Sequence, residues 1–262
     1  VGPLDIHDNS FDVSASNPWG IDMTNVNGGA RMRIRDNFVR VTGNTVSETR
    51  AISLNSVVGV IERNELNAVR GGTSYGFISI GANLIELYQN VISVGPGYLG
   101  GNLGIAMSGS GNTYAIGNTV DVRPDVMQGS GAIGLRCNGG QGNVFTSNII
   151  GVPSVFAVAV IENAGTNACV TTTTFTRNYL WHGPGGTAFN DVSAGVGISN
   201  ANQYGGTVSP FVSSSSYELR DGGWIDQGAA GPQFDGGFAT LDGKRRPRVV
   251  GSGADIGALE KQ

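Results

Sequence analysis

The chain predicts an all-β fold, a right-handed parallel β-helix, from three observations. Asn9, Asn37, Asn64, Asn90, Asn118, Asn148 and Asn178 recur at gaps of 28, 27, 26, 28, 30 and 30 residues. Each stands in the same apolar frame: Ile6, Ile34, Ile61, Leu87, Ala115, Phe145 and Phe175 three positions before, and Phe11, Val39, Leu66, Ile92, Val120, Ile150 and Leu180 two after. A second apolar row runs Ile21, Ile52, Ile78, Ile105, Ile133, Val158 and Val196, each with another apolar residue two positions on (Met23, Leu54, Ile80, Met107, Leu135, Val160, Ile198). Self-similarity at a fixed period of this length marks a repeat architecture. About seven coils of 26–30 residues are visible.

The elements of one coil follow in order. Short strands of about three to five residues, broken by Gly and Asn, make up each coil. The residues two and four after the asparagine (Val13, Val41, Ala68, Val94, Val122, Val152 and His182 at the latter place) share parity, so they point to one side of a strand. The asparagine itself sits at an inward bend. There it can bond its neighbours above and below and satisfy turn backbone groups, forming an asparagine ladder. The second apolar row is a further strand, whose last gap of 38 residues predicts a longer loop late in the stack. Like positions then lie about 4.8 Å apart along the stack. A β-sandwich also has short alternating strands, but it has no reason to repeat one asparagine frame seven times.

Composition agrees. Glycine numbers 43 of 262 residues, and charged residues are 14%, well below the usual quarter. Both suit a turn-rich solenoid. The net charge is −4, which leaves no basic footprint for nucleic acid. No apolar run approaches membrane-spanning length. The repeat occupies 1–198, and 199–262 reads as an irregular tail packing on or capping the stack. No capping segment precedes the first coil, which predicts a longer parent chain, proteolytic trimming, or end-to-end self-contact through that coil. Cys137 and Cys169 precede their ladder asparagines by 11 and 9 residues, in consecutive coils. That spacing makes a disulfide geometrically feasible, and an extracellular setting would favour it; two buried free thiols are the alternative.

The tail carries a resemblance. It reads Ser213–Ser214–Ser215–Ser216–Tyr217–Glu218–Leu219–Arg220–Asp221–Gly222, then Ile225–Asp226–Gln227–Gly228. Later come Asp242–Gly243–Lys244–Arg245–Arg246–Pro247 and Asp255–Ile256–Gly257–Ala258–Leu259–Glu260. This resembles the terminal signature of bacterial secreted or surface β-helix proteins of the pectate-lyase-like superfamily. The resemblance implies an extracellular or cell-surface location and a polysaccharide or cell-surface glycan as partner. It does not imply one activity, because that group holds lyases, glycosidases and adhesins. The residues themselves read as structural: Asp226 and Asp255 bond turns while the adjacent Ile225 and Ile256 enter the core.

Chemistry, if present, is expected on an outward face. Two positions before the ladder asparagine stand His7, Arg35, Glu62 and Tyr88; four before stand Asp5, Arg33, Glu86 and Tyr114. In a chain this poor in charge, their gathering over the first coils is the sharpest lead. Arg35, Glu62, Glu86 and Tyr88 are the candidate catalytic residues, and Asp5, His7, Arg33 and Tyr114 the candidate substrate-binding ones. Arginines bind sugar carboxylates bidentately. A glutamate or tyrosine can move a proton, and a carboxylate pair about 5–9 Å apart suits glycoside hydrolysis. The competing reading is a solvated face of cross-strand Arg–Glu pairs.

Set against the family resemblance, the catalytic case loses ground. Lyases of that superfamily use a lysine or arginine base, often with calcium. Here both lysines, Lys244 and Lys261, lie in the tail. Arg33 or Arg35 would serve as base only with a much lowered pKa. The paired-aspartate and Gly-His-Gly pattern of polygalacturonase-like relatives is missing. Trp19 and Trp181–His182 are candidate sugar platforms, more often packed turn aromatics. Gly139–Gly140–Gln141–Gly142 lacks the following helix of a phosphate loop. No metal is expected from His and Cys spacing, and no cofactor; Asp121, Asp125, Asp221 and Asp226 offer calcium oxygens without calcium-loop spacing.

Two function classes follow. One is extracellular polysaccharide binding with cleavage as its extension, by a lyase or hydrolase route. It predicts an open groove over Arg33, Arg35, Glu62 and Glu86. The other is a non-catalytic surface, adhesin or structural module, which predicts those side chains tied up in mutual pairs. A phage-type depolymerase is a third reading and would need trimerisation.

Overall fold

The computed structural model describes residues 4–25, 31–44, 46–81, 84–96, 101–109, 112–123, 132–138, 142–152, 157–161, 174–182, 187–191, 203–206, 208–212, 217–222 and 257–258, of which 157–161, 187–191 and 203–206 are described in backbone alone. All strand pairing in its three sheets is parallel, and up to Thr187–Asp191 the strands of each sheet recur every third strand in chain order. The fold is therefore a parallel β-helix.

The first sheet has seven strands: Asp5–His7, Met32–Arg35, Val58–Glu62, Leu84–Tyr88, Asn112–Ile116, Val144–Thr146 and Thr174–Thr176. The second has eight: Ser10–Ser14, Phe38–Thr42, Glu65–Val69, Val91–Val94, Thr119–Val122, Ile149–Val152, Tyr179–His182 and Gln203–Gly206. The last of these lies in the segment assigned to the tail, yet it pairs parallel with Tyr179–His182. The third sheet has seven strands: Trp19–Thr24, Glu48–Asn55, Thr73–Ile80, Asn102–Ser108, Ala132–Asn138, Ala157–Ile161 and Thr187–Asp191.

The ladder asparagines occupy the tight turn from the first sheet to the second. Asn37, Asn64, Asn90, Asn118, Asn148 and Asn178 are at most 2% exposed. Asn64 shows the bonding. Its Nδ2 donates to Asn90 Oδ1 at 3.0 Å and to the carbonyls of Ile34 and Glu62, while its Oδ1 accepts from the backbone N–H and Nδ2 of Asn37. The chain of amides runs unbroken from Asn9 to Asn178. The residue before each asparagine is left-handed: Asp8, Asp36, Arg63, Gln89, Gly117, Ser147 and Arg177 have φ between 52° and 65°.

The core is one continuous stack, with Ile34, Ile61, Leu87, Ala115, Phe145 and Phe175 from the first sheet and Val39, Leu66, Ile92, Val120, Ile150 and Leu180 from the second. In the third sheet the expected row slips at two rungs. Phe77, not Ile78, pairs with Ile52 and Ile105, and Leu135, not Ile133, is next in that column. Ile78 and Ile133 face outward and pack with Leu103 and Ala106, and Ile80 is 37% exposed. The strands there are apolar on both faces, so periodicity does not distinguish the sides, and a one-residue slip exchanges them. Val196 and Ile198 lie outside the described residues, as does most of the tail signature, including Asp226, Asp255 and the lysines.

The third-sheet strands bend around a corner at a column of small residues, Gly20, Ala51, Gly76, Gly104 and Gly134. A Cβ on Gly104 would lie 2.2 Å from Val120 Cγ1 and 2.5 Å from the Gly134 carbonyl oxygen. The described tail residues lie along the outer face of the second sheet. Phe211, Leu219 and Tyr217 pack on Ile149 and Tyr179, and Ala258 packs with Tyr217 on Val91.

Candidate functional site

The strand registers place the expected outward residues in two columns of the first sheet. Asp5 pairs with Arg33 and His7 with Arg35; Arg35 pairs with Glu62, Glu62 with Tyr88, and Glu86 with Tyr114. Position in the repeat was thus a sound guide to which side chains meet. It was a poorer guide to what they do when they meet.

The charges close on one another. Arg33 Nε donates to Glu62 Oε1 at 2.6 Å. Arg63 Nη1 lies 3.3 Å from Glu62 Oε2 and also makes a two-point contact with Asp36, Nε to Oδ1 at 2.8 Å and Nη2 to Oδ2 at 2.9 Å. Arg35 bonds Asp5 Oδ2 through Nη2 at 3.0 Å and reaches Asp36 through Nη1 at 3.4 Å. Arg31 pairs with Glu86. The result is a continuous chain from Asp5 through Arg35, Asp36, Arg63 and Glu62 to Arg33. Glu62 is fully buried within it.

This geometry bears on each expected role. The hydrogen bond to Asp5, and the charges of Asp5 and Asp36, raise the Arg35 pKa against the opposing effect of burial. That direction is opposite to what a base needs. Tyr88 is 1% exposed and packs with Ile116, Val60, Tyr114 and Val144. His7 is exposed and bonds Asp8 Oδ2 through Nδ1 at 2.8 Å. An open groove over Arg33, Arg35, Glu62 and Glu86 is therefore not what forms; the acids are covered and paired. Arg31, Asp36 and Arg63 complete the network and were missed. Their signal was legible: Asp36 and Arg63 carry opposite charges at one repeat position in adjacent coils.

A second cluster lies on the outward face of the third sheet. Trp19 pairs in register with Arg50, and Arg50 with Tyr75. The Arg50 guanidinium carbon sits 4.7 Å from the Trp19 ring centroid and 5.8 Å from that of Tyr75. Glu48 accepts from Arg50 Nε at 3.1 Å, and Arg50 Nη1 reaches Ser53 Oγ at 3.4 Å. Trp19 is 43% exposed, so an indole pre-ordered by a cation remains open to solvent. Each of the three precedes a corner residue (Gly20, Ala51, Gly76), which is the sequence signal that aligns them.

Cys137 is buried in the core column beside Met107 and is disulfide-bonded. Cys169, the expected partner, lies outside the described residues. Among the described residues, no group of three or more His, Cys, Asp or Glu is placed to hold a metal, and no helix is long and apolar enough to cross a membrane. Asp125 and Asp226 also lie outside them. Comparison with protein-family models, with curated proteins and with solved structures returned no match.

Proposed function

We propose that this chain is a non-catalytic, polysaccharide-binding β-helix module of an extracellular or cell-surface protein, bacterial in origin and related to the pectate-lyase-like superfamily. The relationship rests on the tail motifs. The binding reading rests on one observation, the half-exposed Trp19 stacked on Arg50. An indole held in one orientation offers apolar area at little entropic cost. Arg50, Glu48, Ser53 and Tyr75 supply donors and acceptors around it. The absence of cleavage is argued from the first sheet. A general acid or nucleophile must reach its substrate, and Glu62 is instead enclosed between Arg33 and Arg63.

The test is a panel of acidic and neutral polysaccharides in affinity electrophoresis, with unsaturated product and new reducing ends read in parallel. Retardation by at least one polysaccharide is expected, lost in Trp19→Ala, with both cleavage channels silent. Unsaturated product would establish a lyase, and reducing ends alone a hydrolase. Absence of retardation across the panel would leave the structural or adhesive module.

A further inference from the structure

The outer face of the second sheet changes character along the stack. In the first three rungs it presents Ser10, Asp12, Phe38, Arg40, Glu65 and Asn67. From the fourth rung it presents Val91, Thr119, Asp121, Ile149 and Tyr179, all at most 8% exposed. The C-terminal segments 208–212, 217–222 and 257–258 lie on this second half as a strap. Phe211 bridges antiparallel to Leu219, Arg220 Nε donates to the Phe211 carbonyl at 2.8 Å, and Tyr179 Oη donates to the Val208 carbonyl at 3.0 Å. The Ala258 N–H donates to Thr119 Oγ1 at 3.0 Å, and the Gly257 N–H to the Ser147 carbonyl at 2.7 Å.

One side-chain contact ties the strap to a buried charge. Tyr217 Oη donates to Asp121 Oδ2 at 2.9 Å. The same oxygen accepts from Arg123 Nε at 2.9 Å and Nη2 at 2.7 Å, while Asp121 Oδ1 has no partner among the described residues. Asp121 is 1% exposed. The Tyr217 ring meets Phe211 edge-on at 5.1 Å and packs on Val91 and Ala258. Its backbone is left-handed, with φ 52°, an unfavourable conformation for a bulky residue outside a constraining contact.

We propose that the strap is a latch opened by alkali, with Tyr217 as the trigger and Asp121 as the charge it works against. Loss of the phenolic proton removes the donor that Asp121 Oδ2 uses. It also sets a second negative charge at hydrogen-bond distance from a carboxylate withdrawn from water. The groups facing Tyr217 Oη are Asp121 and Arg123 from one rung and Ser93 from the rung before. Among the described residues that face it, Arg123 is the cationic one, and it is engaged with Asp121. Opening returns both anions to solvent and uncovers the apolar strip of Val91, Ile149 and Tyr179.

The sign of the effect is single. Burial, and then the Asp121 charge, raise the Tyr217 pKa above the ordinary tyrosine range. A group whose pKa is higher in the docked state stabilises docking fully below its ordinary pKa, and that contribution disappears as pH rises through the raised one. Asp121 is raised by burial, against the opposing pull of Arg123 and Tyr217.

The experiment compares the whole chain with Tyr217→Phe and Asp121→Asn over an alkaline titration. Tyrosinate absorbance, dye binding to apolar surface and proteolysis between Pro210 and Arg220 are read together with the β-sheet circular dichroism. In the natural chain, dye binding and cleavage are expected to rise as Tyr217 ionises, with the β signal retained. In Tyr217→Phe that titration is missing and opening moves upward by about 1 pH unit or more. In Asp121→Asn, Tyr217 titrates at lower pH. Opening of Tyr217→Phe at the same pH as the natural chain would overturn the latch. So would loss of strap and β signal in one transition, or an unchanged Tyr217 titration in Asp121→Asn.

Discussion

Each ladder asparagine from Asn37 to Asn148 accepts from two donors on the preceding rung's asparagine and gives its own amide protons to the rungs on either side. An amide is needed because the site asks for one acceptor and two donors in one plane, which neither Asp nor Ser supplies. The left-handed residue before it carries the conformational cost. Gly117 meets that demand without strain, but Arg63, Gln89 and Ser147 do so at about 1–2 kcal/mol each. The ladder bonds hold them there. Asn90→Ala would leave the Asn64 backbone N–H without its acceptor and withdraw the amide donor from the Ile61 carbonyl and Asn118 Oδ1, in a site with no access to water. At about 1–3 kcal/mol per orphaned buried group, a loss of roughly 3–5 kcal/mol is expected in urea denaturation. Asn9→Ala, at the exposed first rung, should cost under about 1 kcal/mol in the same measurement. Equal losses at the two positions would show that the ladder bonds are not what stabilises the turn.

Among the elements, the corner column decides how closely the second and third sheets approach. Gly20 faces Val39 and Val41, Gly76 faces Ile92 and Val94, and Gly104 faces Val120 and Val122. The one alanine, Ala51, occurs where the packed second-sheet strand carries Ala68 in place of valine. Volume is thus exchanged across the corner rung by rung, as close packing requires. Gly104→Ala should destabilise by about 1–3 kcal/mol, since its Cβ meets a valine methyl and a backbone carbonyl that have little room to move. Adding Val122→Ala should recover part of the loss, measured as the coupling in a double-mutant cycle. A fully additive cycle would mean that the nearer Val120 methyl and Gly134 carbonyl dominate. The same column could have been read from the sequence, because Gly20, Gly76, Gly104 and Gly134 each immediately precede the core row.

At the scale of the whole molecule, each rung touches mainly its two neighbours, so stability is close to a sum of local terms. Damage at one rung should therefore stay near it. In Asn90→Ala, amide exchange should accelerate most between about residues 58 and 122 and least in the strands at either end. A uniform acceleration would indicate one all-or-none unit instead. The strap is the exception to this locality. Through Tyr217 and Asp121 it joins residues 96 positions apart and spans several rungs at once. Charge is organised at this scale too. The first sheet's acids and arginines were recognisable as a cluster from their repeat positions, but not as a closed network, because pairing depends on the reach of long side chains across columns. Arg63, from a turn position, takes part in two pairs with different columns.

By itself the sequence determined the parallel β-helix, the rung length, the ladder and the two core rows flanking it. A repeated inward position must satisfy the same steric and hydrogen-bonding demand in every coil, so those demands are written as periodic residue identity. Only the tertiary structure decided which face of the third sheet is core, since its strands are apolar on both sides. It likewise decided that Glu62 is buried between arginines, that Trp19 stands out on Arg50, and that the described tail residues lie along the second sheet. Those outcomes come from side-chain reach and contacts distant in sequence, neither of which leaves a period in the chain.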